Sequence, residues 1–186
     1  MVVLRAKCAI IGDQTVGKSA VTQAFHSDGS HFPKAYTMTT HPELCVKSVN
    51  IPDTQDSVEL MLIDLPGEEA LQENITSYLE DCNMVVVVFD VTRSQTFENS
   101  ITWLNKARTA AGASFMGGVL LGNKADLDAR REVIREQGEE VARTNDLDYF
   151  ECSAKNGSEI DTPFHFIASM FHAYYKDKVG QFITMA

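Results

Sequence analysis

Short apolar runs rich in Val, Ile and Leu alternate along the chain with stretches whose apolar residues recur every three or four positions. That alternation is the signature of strands exchanging with amphipathic helices in a mostly parallel sheet covered on both faces. Strands are predicted at residues 4–11, 44–51, 57–64, 84–91, 119–123 and 149–153. The second and third flank Pro52-Asp53-Thr54-Gln55-Asp56, turn chemistry between two β-like runs, and so form a hairpin. That hairpin is expected to be the one antiparallel junction, at the sheet edge. Helices are predicted at 18–25, around 71–78, at 94–109, 131–144 and 163–176. In the last, Thr162 suits the N-cap and Pro163 the first helical position, and Phe164, Ile167, Ala168, Phe171 and Tyr175 form a core-facing stripe. The polar segments 27–41 and 65–74 are the candidate mobile loops. The expected fold is α/β, six-stranded and mostly parallel with one antiparallel edge strand, and helices lie on both faces.

Composition narrows this little but excludes much. The chain has 186 residues, 44% hydrophobic and 23% charged, which fits a single domain over 1–186 and excludes disordered, collagen-like and simple coiled-coil chains. Sixteen basic against 26 acidic residues give a net charge of -10, which disfavours sequence-independent binding to nucleic acid. It does not exclude a phosphate ligand held by a local cluster of backbone N–H groups. The four cysteines, Cys8, Cys45, Cys82 and Cys152, lie far apart without a CxxC pair and read as reduced thiols in a reducing compartment. No signal or transit peptide is visible, and the longest apolar run, 84–91, contains Asp90 and is far short of a membrane span. Val2 follows Met1, and the last cysteine lies well before the C-terminus, so neither myristoylation nor prenylation is expected. A direct membrane anchor is therefore not expected.

The first strand runs into Gly12-Asp13-Gln14-Thr15-Val16-Gly17-Lys18-Ser19, a full GxxxxGK[ST] at a strand-to-helix junction. At ordinary residue frequencies a chance match in a chain of this length is below about one in a hundred. The glycines let the backbone wrap a β-phosphate, the helix N-terminus favours the anion, and Lys18 bridges β- and γ-phosphates. Ser19 would hold Mg2+ through its hydroxyl, and Ala20 closes the stretch. Such a loop alone suits an ATPase, a nucleotide kinase or a GTPase. Asn123-Lys124-Ala125-Asp126 after the fifth strand decides, because the Asp126 carboxylate can accept from guanine N1–H and the exocyclic amine, and adenine has no matching donor pair. Ser153-Ala154-Lys155 then closes the sixth strand, with the Ala154 N–H suited to guanine O6. Each motif alone could be a bland strand-end loop; the ordered set of three is specific.

With these motifs in this order, the sequence resembles the Ras superfamily of small GTPases over essentially its whole length. The resemblance implies GTP/GDP and Mg2+ as ligands, with switch I at about 27–41 and switch II at about 65–78. It implies that Phe32 packs on the guanine edge and Tyr36 covers the phosphates. Thr39 aligns with the switch I threonine that ligates Mg2+ beside a γ-phosphate, with Thr40 as the neighbouring alternative. Asp64-Leu65-Pro66-Gly67-Glu68 aligns with the DxxGQ motif, so Asp64 would reach Mg2+ through water and the Gly67 N–H would touch γ-phosphate. Lys18, Thr39, Gly67 and Glu68 are the implied catalytic set.

Glu68 stands where the family has the glutamine that orients the attacking water. A carboxylate lacks the amide donor and brings negative charge toward the γ-phosphate, so slow hydrolysis is expected. Pro66 removes a donor and fixes φ in the switch II hinge, and Gln14 and Thr15 crowd the space an arginine finger would need.

The strand at 85–89 with Asp90-Val91-Thr92 looks most like Rab proteins, but the C-terminal cysteines of Rab proteins are missing. With 15–20, Ile51-Pro52-Asp53-Thr54 and Thr162-Pro163-Phe164, that combination resembles the unlipidated Rab-like GTPases of the intraflagellar transport B complex. The likeness implies a heterodimer with a small β-sandwich transport subunit, residence in cytoplasm and cilium or flagellum, and cargo movement along the axoneme. The alternative is a constitutive scaffold subunit whose G-domain fold works independently of nucleotide. The C-terminal helix and tail 163–186, with Phe182 and Ile183, are the expected partner surface. His165 and His172 on that helix are expected at its solvated side.

Overall fold

The computed structural model describes residues 1–30, 32–33, 35, 37–68 and 75–185, with side chains as far as Gln181. Six strands form: β1 (Val3–Ile11), β2 (Glu43–Asn50), β3 (Ser57–Asp64), β4 (Met84–Asp90), β5 (Gly117–Asn123) and β6 (Asp148–Glu151). They make one sheet in the order β2-β3-β1-β4-β5-β6, with β2 antiparallel to β3 at the edge and every other pairing parallel. The α helices are α1 (Lys18–His26), α2 (Thr76–Leu79), α3 (Ser94–Ala111), α4 (Arg135–Thr144) and α5 (Asp161–Met185). Every residue of β4 and β5 is buried, which explains why those segments read as continuous apolar runs and not as alternating ones.

Two cores lie on opposite faces. Ala6, Cys8 and Ile10 of β1 pack with Phe25 of α1 and Phe164, Ile167 and Phe171 of α5. Ala9 and Ile11 of the same strand pack with Leu79 of α2, Trp103 and Leu104 of α3 and Ala142 of α4. The rings of Phe25 and Phe164 stack at 4.1 Å, joining the two helices of the first face. Chain leaving β1 crosses to one face and chain leaving β4 crosses to the other, so a crevice opens beyond the carboxyl ends of these neighbouring strands. The cysteines are all free thiols, and among the described residues no helix is long and apolar enough to cross a membrane.

Two helices differ from the sequence expectation. Helix α4 begins at Arg135 and not at 131, because Glu132 N–H and Val133 N–H both donate to the Val91 carbonyl and Val133 is buried. Arg131 is likewise committed to a two-pronged pair with Glu151, and Gln137 Oε1 accepts from Ile134 N–H to close the first turn of the helix. Helix α5 starts at Asp161, one residue before the expected cap, and runs to Met185 in place of a short tail. Its side chains are largely exposed beyond His172, and those of Phe182 and Ile183 lie outside the described residues, as does the 71–74 part of the expected switch II helix.

His172, expected at the surface, is buried. Its Nε2 lies 3.0 Å from Asp56 Oδ2 in the β2–β3 turn, Lys176 Nζ reaches the same oxygen at 3.2 Å, and Val2 N–H donates to Asp56 Oδ1 at 2.7 Å. One carboxylate thus ties α5, the hairpin and the start of β1 together. The bond from His172, then Val2 N–H and Lys176, hold the Asp56 carboxyl well below the usual carboxylate range. A depressed folded pKa means that this stabilisation is full above about pH 4 and is lost as pH falls toward the folded value. Asp56→Asn is expected to lower the urea midpoint at pH 7, and the gap from the parent should narrow below about pH 4. An equal gap at pH 7 and pH 3 would contradict it.

Candidate functional site

The turn from β1 into α1 is shaped by left-handed backbone at Thr15 (φ 63°) and Gly17 (φ 98°), which turns successive N–H groups toward one concavity. Gly17 is required by packing as well: a Cβ there would sit 2.4 Å from Asn123 Nδ2. That amide donates to the Val16 carbonyl at 2.8 Å, and Asn123 Oδ1 accepts from Ala154 N–H at 3.2 Å. Asn123 is 2% exposed and ties the phosphate-type loop to the loop after β6. Lys124 makes a second stitch, donating to the Thr15 carbonyl at 2.9 Å while its ammonium pairs with buried Asp90 at 2.6 Å.

These loops line a cavity of about 450 Å³. The loop after β1 and the two switch segments contribute Gln14, Thr15, Gly17, Lys18, Ser19 and Ala20 with Thr39, Gly67 and Glu68; the loops after β5 and β6 contribute Asn123, Lys124, Asp126, Ala154 and Lys155, and Phe32 also lines the wall. Ser153 is buried behind that wall, where its hydroxyl donates to Asp126 Oδ1 at 2.6 Å and fixes the carboxylate's direction. Gly12, Asp13, Val16 and Asp64 also stand behind the wall, with Val16 fully buried in the core. Tyr36 lies outside the described residues. Gln23, Met38 and Leu127 join the lining without having been singled out in the sequence, since nothing in their type or spacing distinguishes them from ordinary surface.

Lys18 is 6% exposed and donates to the Gly12 and Asp13 carbonyls at 2.9 Å each. Burial pushes its pKa down to about 8, against the opposing pull of Asp64 and Asp13. Asp64 is buried as well, and desolvation raises its carboxyl to about 6 despite a hydrogen bond from Ser19 and the nearby Lys18 charge. Its Oδ1 has no hydrogen-bond partner among the described residues. Beside it, Ser19 Oγ and Thr39 Oγ1 stand 2.9 Å apart, whereas Thr40 is exposed and bonds His41. Two hydroxyls and an orphaned carboxylate oxygen are a hard oxygen set, which fits Mg2+ and offers nothing to softer metals.

Switch II enters this end as backbone. A Cβ on Gly67 would lie 2.4 Å from Lys18 Nζ and 2.5 Å from the Gln14 nitrogen, so only glycine lets the chain approach the phosphate-type loop so closely. Pro66 is buried next to it, and Glu68 carries its carboxylate onto the cavity wall.

Comparison with known proteins agrees with this geometry. Residues 7–173 match the family model described as the Ras family. The human protein named Intraflagellar transport protein 27 homolog is 44% identical over 186 residues, spanning all of both chains. Intraflagellar transport protein 27 of Chlamydomonas reinhardtii is 40% identical over 183 residues, covering 96% of this chain and 90% of that one. Ras-related protein Rab-13 of Mesocricetus auratus is 31% identical over 162 residues, covering 87% and 77%.

Because the Asn123 amide serves two buried backbone groups, its removal leaves both without a partner. Asn123→Ala is expected to destabilise the fold by about 2–3 kcal/mol, read from the shift in denaturant midpoint at constant slope. A change under about 0.5 kcal/mol would show that water replaces the amide without loss.

Proposed function

The chain belongs to the Ras family, and from that premise we propose that it is a Rab-like switch of intraflagellar transport that binds GTP and GDP with Mg2+ and hydrolyses GTP slowly. The observation that carries this reading is one cavity lined by two chemically distinct groups of residues. Backbone N–H groups, the α1 N-terminus and Lys18 suit the phosphates; Asp126, aimed by Ser153, suits the two donors of guanine; Ala154 N–H, which Asn123 Oδ1 holds in place, would be shared with guanine O6. Ser19, Thr39 and Asp64 would hold Mg2+, Asp64 through water. Bound there, the ion supplies positive charge at the β- and γ-phosphate oxygens. Phe32 and Tyr36 would close over base and phosphates, and Gly67 N–H would meet the γ-phosphate.

Hydrolysis needs a water aligned with the γ-phosphorus and donors for the charge that spreads onto the phosphoryl oxygens. Lys18 supplies charge, and Thr39 would fix the water's neighbourhood. Glu68 supplies neither an amide donor nor neutrality, and Pro66 contributes no N–H, so the chemical step runs near its unassisted pace. Gln14 and Thr15 line the cavity and would obstruct an arginine inserted by an activating partner. The full-length likeness to proteins named for intraflagellar transport supports work in that transport. The protein would act as a subunit of the transport B complex, paired with a small β-sandwich subunit, in cytoplasm and cilium or flagellum.

Chromatography of nucleotide released from denatured protein is expected to recover GDP or GTP. Single-turnover hydrolysis with Mg2+ should run at about 10^-4 per second or slower. Glu68→Gln should raise it about tenfold, equal to about 1.4 kcal/mol of barrier. A parent rate already matching the variant would remove Glu68 as the brake. A protein that neither carries nor loads guanine nucleotide would leave the nucleotide-independent scaffold.

A further inference from the structure

The carboxylate of Asp13 belongs to the phosphate-type loop but faces away from the cavity, into α3. Its Oδ1 accepts from Trp103 Nε1 at 2.8 Å and its Oδ2 from Asn99 Nδ2 at 2.7 Å. Asn99 and Trp103 are one helical turn apart and therefore share a side of α3. Both short bonds end on a single ionised group, so each is of the charge-assisted kind. The next residue is held too: Arg93, just before α3, donates from Nη2 to the Gln14 carbonyl at 3.2 Å while pairing with buried Asp90. Two successive loop residues are thus fixed, Asp13 to the middle of α3 and Gln14 to the residue before it, and α3 is absent from the cavity wall.

Two physical demands meet here. The loop contains Thr15 in a left-handed conformation, and such backbone persists only where its surroundings over-determine it. An acidic side chain one residue from the cavity wall also repels bound phosphates unless it is held off their path. The Trp103 and Asn99 donors answer both demands. Asp13 also acts on Lys18, whose ammonium it favours against burial.

We infer that Asp13 is a positioning residue for the nucleotide site: gripped by Trp103 and Asn99, it sets the shape of the phosphate loop and keeps its own charge off the phosphates, so that α3 governs how long nucleotide stays bound. The inference rests on the guanine-nucleotide reading of the cavity. Trp103→Phe retains the packing of the ring but removes the donor, loosening the loop and freeing the negative charge together. Asp13→Asn removes the charge and keeps an oxygen that can accept.

The test is release of a fluorescent GDP analogue from full-length protein in Mg2+, chased with unlabelled GDP. Trp103→Phe should release it about tenfold faster than the parent, the scale of one charge-assisted hydrogen bond. Adding Asp13→Asn to Trp103→Phe should slow release again by at least about threefold, because the repelling charge is gone. A purely packing role for Trp103 predicts no such rescue. Parent-like release by Trp103→Phe, or a double variant as fast as the single, overturns the inference. Should Trp103→Phe not fold, Asn99→Ala with and without Asp13→Asn makes the same comparison at the second donor. A parent protein that retains no GDP analogue overturns the nucleotide reading itself, and the inference with it.

Discussion

Three loops that are far apart in the chain meet at one buried side chain, the amide of Asn123. Its nitrogen reaches the carbonyl of Val16 and its oxygen the N–H of Ala154, so the turn after β1, the end of β5 and the loop after β6 have one fixed spacing. Only a glycine at 17 leaves room for that amide, and the left-handed backbone that glycine tolerates is also what points the turn inward. Cavity width, the approach of Lys124 to Thr15 and the direction of Asp126 all follow from that spacing. An apolar residue could fill the volume of Asn123, but it would abandon two buried backbone groups, and no nearby group replaces them.

The same economy governs charge. Most of the acidic excess sits on the surface, yet the groups nearest the cavity are held by fixed partners: buried Asp90 between Arg93 and Lys124, buried Asp64 against Ser19 and Lys18, half-buried Asp13 against two neutral donors. A chain of net charge -10 can hold a polyanion because the local field is set by these few fixed groups and by oriented N–H dipoles, not by the sum over the surface.

Strand identity, the antiparallel edge hairpin and the positions of the cavity-lining loops were legible in the sequence because their determinants are local, whereas the order of the strands was not. Apolar runs mark β4 and β5, and glycine at 12 and 17 with lysine at 18 marks a turn whose conformation those residue types dictate. What was not legible depends on partners distant in the chain. The 131–134 segment has helical residue types, but the Val91 carbonyl captures two of its N–H groups and holds it extended. His172 reads as a surface residue until Asp56, 116 positions earlier, is brought against it. The grip of Trp103 on Asp13 spans 90 positions, and neither residue announces the other. Thr39 and Thr40 are interchangeable by type; only the path of the backbone brings the first to Ser19.

The pinning of α5 has a mechanical meaning. A helix of 25 residues is about 37 Å long; α5 is clasped near its middle to the β2–β3 turn through Asp56, and its side chains from Ala173 to Gln181 are largely exposed. Tension applied at the outer end, as when a bulky load trails behind a moving carrier, enters the sheet at the hairpin edge and at the stacked Phe25 and Phe164 rings. From the rings it runs along α1 to the Gly12–Ser19 turn, whereas from the hairpin it must pass along β3 and β1. Force on the handle is thus divided between a path remote from the cavity and one that leads to it, and the Asp56 clasp sets the share that the remote path carries.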